Sequence, residues 1–134
     1  MSTVLGASAI STESLLALFQ AAGLSAVVDD DGDIDITRDG IRTFVRLDDD
    51  RKIMSLFSIW QLADDASLED RVELANSLNV NIVLVRFCIR ADGALWCDHQ
   101  LVYGGGLTPE SILRTYALFV EVCEAVGDEH EMIV

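Results

Sequence analysis

The stretch DIDITRDGIRTFVR, residues 33–46, gives the clearest indication of the fold of this 134-residue chain. Its apolar residues recur with a period close to two on both sides of Asp39-Gly40, as they do in half-buried strands. An Asp-Gly pair tolerates the positive φ angles of a two-residue type I′ turn, so the stretch predicts an antiparallel hairpin. With that turn, apolar residues share one face and opposite charges meet on the other. The predicted cross-strand pairs are Ile34 with Val45, Ile36 with Thr43, and Asp33 with Arg46.

Two further Asp-Gly pairs, at residues 31–32 and 92–93, are also interpreted as two-residue hairpin turns. Such a turn at residues 92–93 places Cys88 directly opposite Cys97, with Cα atoms about 4.5 Å apart and within disulfide range. The alternative is that both are ordinary reduced thiols of the core, and a reducing compartment favours it. The predicted thiol pair is therefore a hypothesis that titration of free thiols would test.

Three helices are predicted from capping residues, helical spacing and stop signals. The first is preceded by Ser11-Thr12 and followed by Gly23, which favours a left-handed helix end. The predicted helices cover about residues 12–22, a segment from the N-cap Ser67 to the asparagines at 79–81, and a segment from Thr108-Pro109 to about Ala125. The buried stripe predicted for the second helix is Leu68, Val72, Ala75 and Leu78. Residues 128–134 are predicted to form a loose tail.

The segment KIMSLFSIWQL, residues 52–62, predicts a strand that is apolar on both faces. Such a strand is covered on both sides, so its second face needs either a helix of this chain or a partner. Because three helices cannot readily cover both sides of a wide sheet, we expect a homodimer or a bound polypeptide over that face. The residues predicted for this partner or dimer surface are Met54, Leu56, Phe57 and Trp60.

The predicted elements follow the order α-β-β-β(-β)-α-β-β-α. Consecutive hairpins make an antiparallel sheet, here of five to six strands, on which three helices pack. The sequence contains no internal repeat or linker, so residues 1–134 are interpreted as a single α+β domain.

The composition is strongly acidic, with 23 Asp and Glu against 9 Lys and Arg and a net charge of −14. This charge disfavours nucleic acids and anionic membranes, and it favours a basic protein partner through electrostatic steering. The first ten residues contain no Lys or Arg, and no apolar run is long enough for a membrane span. We therefore expect a cytoplasmic protein.

Several local strings invite a catalytic or metal-binding interpretation, and none has the context that the chemistry requires. A calcium loop aligned on Gly32 would place Val27 and Arg38 at ligand positions, which defeats it. The string at residues 33–37 matches the DxDxT nucleophile of haloacid-dehalogenase-type phosphatases, but it lies on a hairpin strand. The glycines at 104–106 lack the lysine of a phosphate-binding loop. We expect no catalytic residue, cofactor or metal, and hence no enzyme.

Four segments resemble the YbjN-domain family of small bacterial proteins: LLALFQAAGLSAVVDDDGDIDI, GIRTFVRLDDD, ANSLNVNIVLVRFCI and ADGALWCDHQLVYGGGLTPESI. They lie within residues 15–120. The resemblance implies a fold similar to that of type III secretion chaperones, which are small, acidic, usually dimeric proteins that hold a partner polypeptide. Members of the family are labelled regulators of sensory transduction, and the resemblance implies no catalytic residues.

The sequence thus predicts a non-enzymatic protein-binding module, chaperone-like or regulatory, that forms a homodimer. The alternative is a sensor domain that binds a small ligand in a pocket between the sheet and the third helix. Ligand-dependent shifts in melting temperature would distinguish the second function from the first.

Overall fold

The computed structural model describes residues 3–130 and 132–134, and within them three α-helices and six β-strands form an α+β fold. Every strand pair is antiparallel, and the strand order in the sheet is β1-β2-β3-β4-β6-β5, with the ranges given below. The predicted fold class and element order are confirmed. The elements are α1 Thr12–Ala21, β1 Ser25–Val28, β2 Ile34–Arg38, β3 Ile41–Asp48, β4 Ile53–Trp60, α2 Leu68–Asn81, β5 Arg86–Ile89, β6 Leu95–Val102 and α3 Pro109–Glu129.

The β2–β3 hairpin has the predicted register. Asp39 and Gly40 form its two-residue turn with φ angles of 53° and 79°, as a type I′ turn requires. The Asp33 carboxylate accepts two hydrogen bonds from the Arg46 guanidinium across the same hairpin. The observed apolar-face pairs are Ile34 with Val45 and Ile36 with Thr43.

The other two Asp-Gly turns differ from the prediction, because each loop has three residues instead of two. Residues 30–32 and 91–93 form these loops, and in each the last residue is the glycine. An aspartate side chain in or beside each loop accepts a backbone N–H two residues ahead, which stabilises the wider loop. The closing bonds run from the N–H of Asp29 to the carbonyl of Asp33 and from the N–H of Arg90 to the carbonyl of Ala94, each 2.9 Å long.

The wider loop at residues 91–93 shifts the register of β5 against β6 by one residue. Cys88 therefore pairs with Trp96, and Phe87 pairs with Cys97. Since neighbouring residues on a strand point to opposite faces, the thiols of Cys88 and Cys97 lie on opposite faces of the sheet. The predicted opposition of these two thiols is wrong.

The helices begin where their capping residues predict. Ser11 and Ser14 form a reciprocal capping box at the start of α1, and Ser67 and Thr108 accept N–H hydrogen bonds at the starts of α2 and α3. The buried stripe of α2 differs from the prediction, since Leu68 is 67% exposed. The helix also includes the asparagines that were predicted to end it. The residues that α2 buries are Leu74, Ala75 and Leu78, and Val72 is also exposed.

The C-terminal segment is attached to the domain instead of forming a loose tail. Helix α3 continues through Gly127, where the missing side chain lets the Trp60 ring lie against the helix. Beyond the helix, the carbonyl of Met132 accepts a hydrogen bond from the N–H of Ala63, and Val134 donates to Gln61. Packing against the end of β4 thus overrides the helix-stopping tendency of glycine.

All three helices cover the same face of the sheet, because one hydrophobic core contains their buried side chains together with those of the strands. At each edge of the sheet, an amide side chain forms hydrogen bonds with the backbone of the edge strand and so hinders pairing with a further strand. Asn79 donates to and accepts from the backbone of Phe87 on β5, at 2.8 Å each, and Gln20 donates to the carbonyl of Ala26 on β1. The opposite face of the sheet is therefore the extended surface that the helices leave uncovered.

Candidate partner-binding site on the open face of the sheet

The uncovered face of the sheet, called the open face below, is built from alternate residues of β2 to β6. Phe57 lies there, and it is outside the core cluster although it is only 4% exposed. A depression of about 430 Å³ on this face is lined by strand and loop residues and, within the described part of the chain, by none from a helix. The side chains that define the open face are Asp33, Asp35, Arg42, Phe44, Arg46, Phe57, Arg86, Arg90, Trp96 and Asp98.

Three aromatic rings form a continuous stack across the middle of the open face. The ring centroids of Phe44 and Phe57 are 5.2 Å apart, and those of Phe57 and Trp96 are 4.6 Å apart. The interplanar angles of 21° and 14° make both contacts nearly parallel. Neighbouring side chains, and not a helix, therefore bury Phe57, while Phe44 and Trp96 remain half-buried.

Three arginine–aspartate pairs surround this stack, and each uses the Nε and Nη2 atoms of the arginine. The aspartate side chains are almost fully buried, whereas the arginines are more than half exposed. The pairs are Arg42 with Asp35, Arg46 with Asp33, and Arg86 with Asp98, at shortest distances of 2.6, 2.7 and 2.7 Å. The carboxylates thus lie beneath and the guanidinium groups form the outer layer.

The paired arginines are fixed in position by more than one interaction. The guanidinium carbon of Arg46 lies 4.8 Å from the Phe57 ring centroid, and that of Arg42 lies 5.1 Å from the Phe44 centroid. The hydrogen bonds to Asp33 raise the pKa of Arg46, and those to Asp35 raise the pKa of Arg42. The hydrogen bonds and ring contacts therefore hold both guanidinium groups in position and in their charged form.

Each pair leaves one arginine nitrogen available. Within residues 3–130 and 132–134, the Nη1 atoms of Arg42, Arg46 and Arg86 donate no hydrogen bond to the protein. A guanidinium that is bidentate through Nε and Nη2 still presents these donors to a second acceptor. The open face thus offers oriented donors around an aromatic floor.

The hairpin loop beside this face brings together carboxylate oxygens of Asp29, Asp31 and Asp33, within 4.8 Å of one another. The Asp29 carboxylate accepts the N–H groups of Asp31 and Asp33, and Asp33 holds Arg46. Closure of the loop accounts for the Asp29 carboxylate and orientation of Arg46 accounts for that of Asp33, while Asp31 is exposed, as acidic residues of surface loops commonly are.

The four residues predicted for a partner surface do not lie on one accessible surface. Met54 and Leu56 are 0% and 1% exposed and point toward the helices. Trp60 is half-buried, packs near Gly127 and donates its Nε1 hydrogen to the Ser58 hydroxyl at 2.6 Å. Among the four, Phe57 lies on the open face. The residues that sequence reasoning missed, such as Arg42 and Trp96, alternate with core residues, and that period of two is the signal that points to them.

The thiols have no arrangement suited to catalysis. Cys88 is exposed, whereas Cys97 and Cys123 are buried with their Sγ atoms 3.9 Å apart. The hydrogen bond with Cys123 and burial raise the pKa of Cys97, which disfavours the reactive thiolate. The structure thus brings Cys97 near Cys123 on α3 and not near Cys88.

A second cavity, of about 460 Å³, lies between the end of α3 and the sheet. Trp60 and Cys123 line it, together with residues of the β2–β3 turn and of the C-terminal segment. Its position matches the ligand pocket that the alternative hypothesis predicts. In the part of the chain that the structure describes, no helix combines the length and apolar composition that spanning a membrane requires.

The family model of YbjN, described as “Putative bacterial sensory transduction regulator”, matches residues 11–132. Three solved structures share the fold. A YbjN protein from E. coli, called a “putative transcription regulator”, has a TM-score of 0.76 at 15% identity, over 93% of this chain and 96% of that one. No curated protein is significantly similar to this chain in sequence.

The other two structures contain chaperones. The HopA1-SchA chaperone–effector complex has a TM-score of 0.63 at 14% identity, over 87% of this chain and 94% of the matched chain. The Yersinia pestis type III secretion chaperone SycH, in complex with a stable fragment of YscM2, has a TM-score of 0.58 at 15% identity. That match covers 90% of this chain and 100% of the matched chain. At these identities the likeness shows the fold alone.

Proposed function

The chain belongs to the YbjN family, and from this membership we propose that it is a non-enzymatic protein-binding module with a chaperone-like or regulatory role. Two solved proteins of the same fold are chaperones in complex with other polypeptides, which supports the proposal. We place the protein in the cytoplasm, and fractionation of its host cells would test that location.

The observation that carries the proposal is the stack of Phe44, Phe57 and Trp96 on the open face, with oriented arginines around it. Tryptophan, tyrosine and arginine are the residues most enriched at the energetic centres of protein interfaces. Side chains that are already held in place lose little conformational entropy when a partner binds. The open face therefore combines suitable chemistry with preorganisation.

Differential affinity purification from the native host tests this function. The native protein is compared with Trp96→Ala, which removes one ring of the stack, and with Leu118→Ala on the outer surface of α3 as a matched control. We expect at least one polypeptide to co-purify with the native and control proteins and to be lost with Trp96→Ala. An identical set of polypeptides with all three proteins, each shown to be folded by circular dichroism, would refute the proposal.

We also propose that the protein forms a homodimer. Val80, Val83 and Leu84, at the junction of α2 and β5, are 83%, 77% and 61% exposed, and clustered exposed apolar residues are typical of interfaces. Light scattering at micromolar concentration should give a particle of twice the chain mass. The variant Val83→Asp should give a particle of one chain mass. A monomer with the native protein would contradict the dimer.

A small-ligand sensor is the second candidate, supported by the cavity of about 460 Å³ beside Trp60. A ligand bound there would stabilise the folded state and raise the melting temperature. A metabolite that shifts the melting temperature of the native protein and not of Trp60→Ala would support this function. An absence of shifts across a metabolite library would leave protein binding as the better account.

A further inference from the structure

The basic residues of this acidic protein are concentrated on the open face. Four of its nine Lys and Arg residues lie there, although the net charge is −14. Three of the four are the exposed members of bidentate pairs, and Arg90 makes a longer contact of 3.4 Å with the exposed Asp92. The outermost charged groups around the ring stack are therefore guanidinium groups, although the aspartates paired with them and Asp29 and Asp31 at the rim keep the face as a whole from being positive.

We propose that the open face binds an acidic segment of a partner polypeptide. The partner's carboxylates accept hydrogen bonds from the free Nη1 atoms of Arg42, Arg46 and Arg86, and its apolar side chains pack on the ring stack. This inference rests on the proposed protein-binding function and assigns the chemical class of the partner.

The net charge of −14 predicts the opposite, a basic partner. The two predictions differ because the net charge counts distant residues, whereas a bound segment meets the groups of the open face. At physiological ionic strength the Debye length is about 8 Å, so charges on the far side of the domain are screened. A carboxylate that docks on the open face meets guanidinium groups first, because Asp33, Asp35 and Asp98 lie beneath them. The outward-facing Nη1 donors, which the buried aspartates leave free, therefore select the partner, and not the sum of charges.

A nucleic acid fits the same face less well. Phosphates also bind guanidinium groups, but affinity for nucleic acid grows with the number of phosphates that cations neutralise along the backbone. Here the arginines are interleaved with aspartates, and Asp29 and Asp31 stand at the rim of the depression. A second copy of the chain also carries acidic surface and could occupy the same face. The experiments below therefore test both a nucleic acid and a second copy as alternative occupants.

Fluorescence anisotropy with three labelled probes tests the inference in 0.15 M salt. The probes are a 16-residue peptide of alternating Glu and Phe, a matched peptide of alternating Lys and Phe, and a 16-nucleotide single strand of DNA. We expect the acidic peptide to bind at least about tenfold more tightly than either other probe, as for close charge complementarity. Equal or tighter binding of the basic peptide or of the DNA would overturn the inference, as would no binding of the acidic peptide.

Charge-neutralising variants locate the binding. The double variant Arg42→Gln/Arg90→Gln should lower the affinity for the acidic peptide about tenfold. The variant Arg114→Gln, on the outer surface of α3, should leave this affinity unchanged. The double variant Asp33→Asn/Arg46→Gln replaces a charged pair by a neutral pair of similar shape and should therefore fold. It should also bind the acidic peptide more weakly, which provides a second test. Equal loss with Arg114→Gln would overturn the inference.

The outcomes separate this inference from the proposed function. If the native host supplies a polypeptide that Trp96→Ala loses but the acidic peptide does not bind, the protein-binding function stands and the acidic partner is wrong. Sedimentation without peptide tests the second copy. Self-association that Arg42→Gln/Arg90→Gln abolishes would assign the face to a second copy and would overturn the inference.

Discussion

The pair of Asp33 and Arg46 on the open face gives the sharpest energetic prediction. The Asp33 side chain is 5% exposed and receives two hydrogen bonds from Arg46, of 2.8 and 2.7 Å, while Arg46 is 55% exposed. Hydrogen bonds to charged groups contribute about 1.5–3 kcal/mol, and fully exposed pairs about 0.2–1 kcal/mol. Because only one partner is buried, we expect a coupling energy of about 1–2 kcal/mol between the two residues.

A double-mutant cycle with Arg46→Gln, Asp33→Asn and the double variant measures this coupling by urea denaturation. Arg46→Gln should cost about 2 kcal/mol, because it leaves a buried carboxylate without these hydrogen bonds. Asp33→Asn should cost about 1 kcal/mol, since the exposed guanidinium can turn to water. A coupling energy below about 0.3 kcal/mol, within the additivity of independent sites, would refute the reasoning that buried carboxylates hold the outer arginines.

The thiols, the turn at Gly106 and the buried phenol of Tyr116 give three further predictions. Among the three thiols, Cys88 alone should react rapidly with a thiol reagent in the folded protein, and all three should react in denaturant. Gly106→Ala should destabilise by about 2 kcal/mol or more in urea, because φ is +90° and the new Cβ would lie 2.7 Å from the Leu5 carbonyl oxygen. Burial raises the pKa of Tyr116 to about 12 from 10, so the unfolded chain loses the phenol proton first and stability falls between pH 10 and 12. Tyr116→Phe should reduce that fall in pH-dependent denaturation, because the raised pKa of Tyr103 leaves a contribution of its own, and unchanged pH dependence would contradict the prediction.

The sequence predicts the β2–β3 hairpin correctly because its turn and its side-chain pattern select the same register. The predicted loop length of the hairpin at residues 91–93 is wrong because an Asp-Gly pair fits both two-residue and three-residue loops. The hydrogen bond from the Ala94 N–H to the Asp92 side chain favours the three-residue loop. The one-residue shift places Cys88 opposite Trp96, on the other face of the sheet from Cys97, which lies near Cys123 on α3.

The candidate site could be predicted only in part. The second apolar face of β4 is visible in the sequence, but what covers it depends on neighbours in space. Phe57 is buried by Phe44 and Trp96, whose contacts arise from pairing between β4 and its two neighbouring strands. The same dependence on tertiary packing explains α2, whose apolar Leu68 faces solvent because Leu74 and Leu78 make the contact with the core.

Photo-cross-linking in the native host tests most directly the claim that the open face binds a polypeptide. Benzoylphenylalanine replaces Phe44 at the edge of the ring stack, and Leu118 on the outer surface of α3 in the control. We expect a discrete protein adduct from position 44 that position 118 does not give. An absence of adducts from position 44, or the same adducts from both positions, would contradict it.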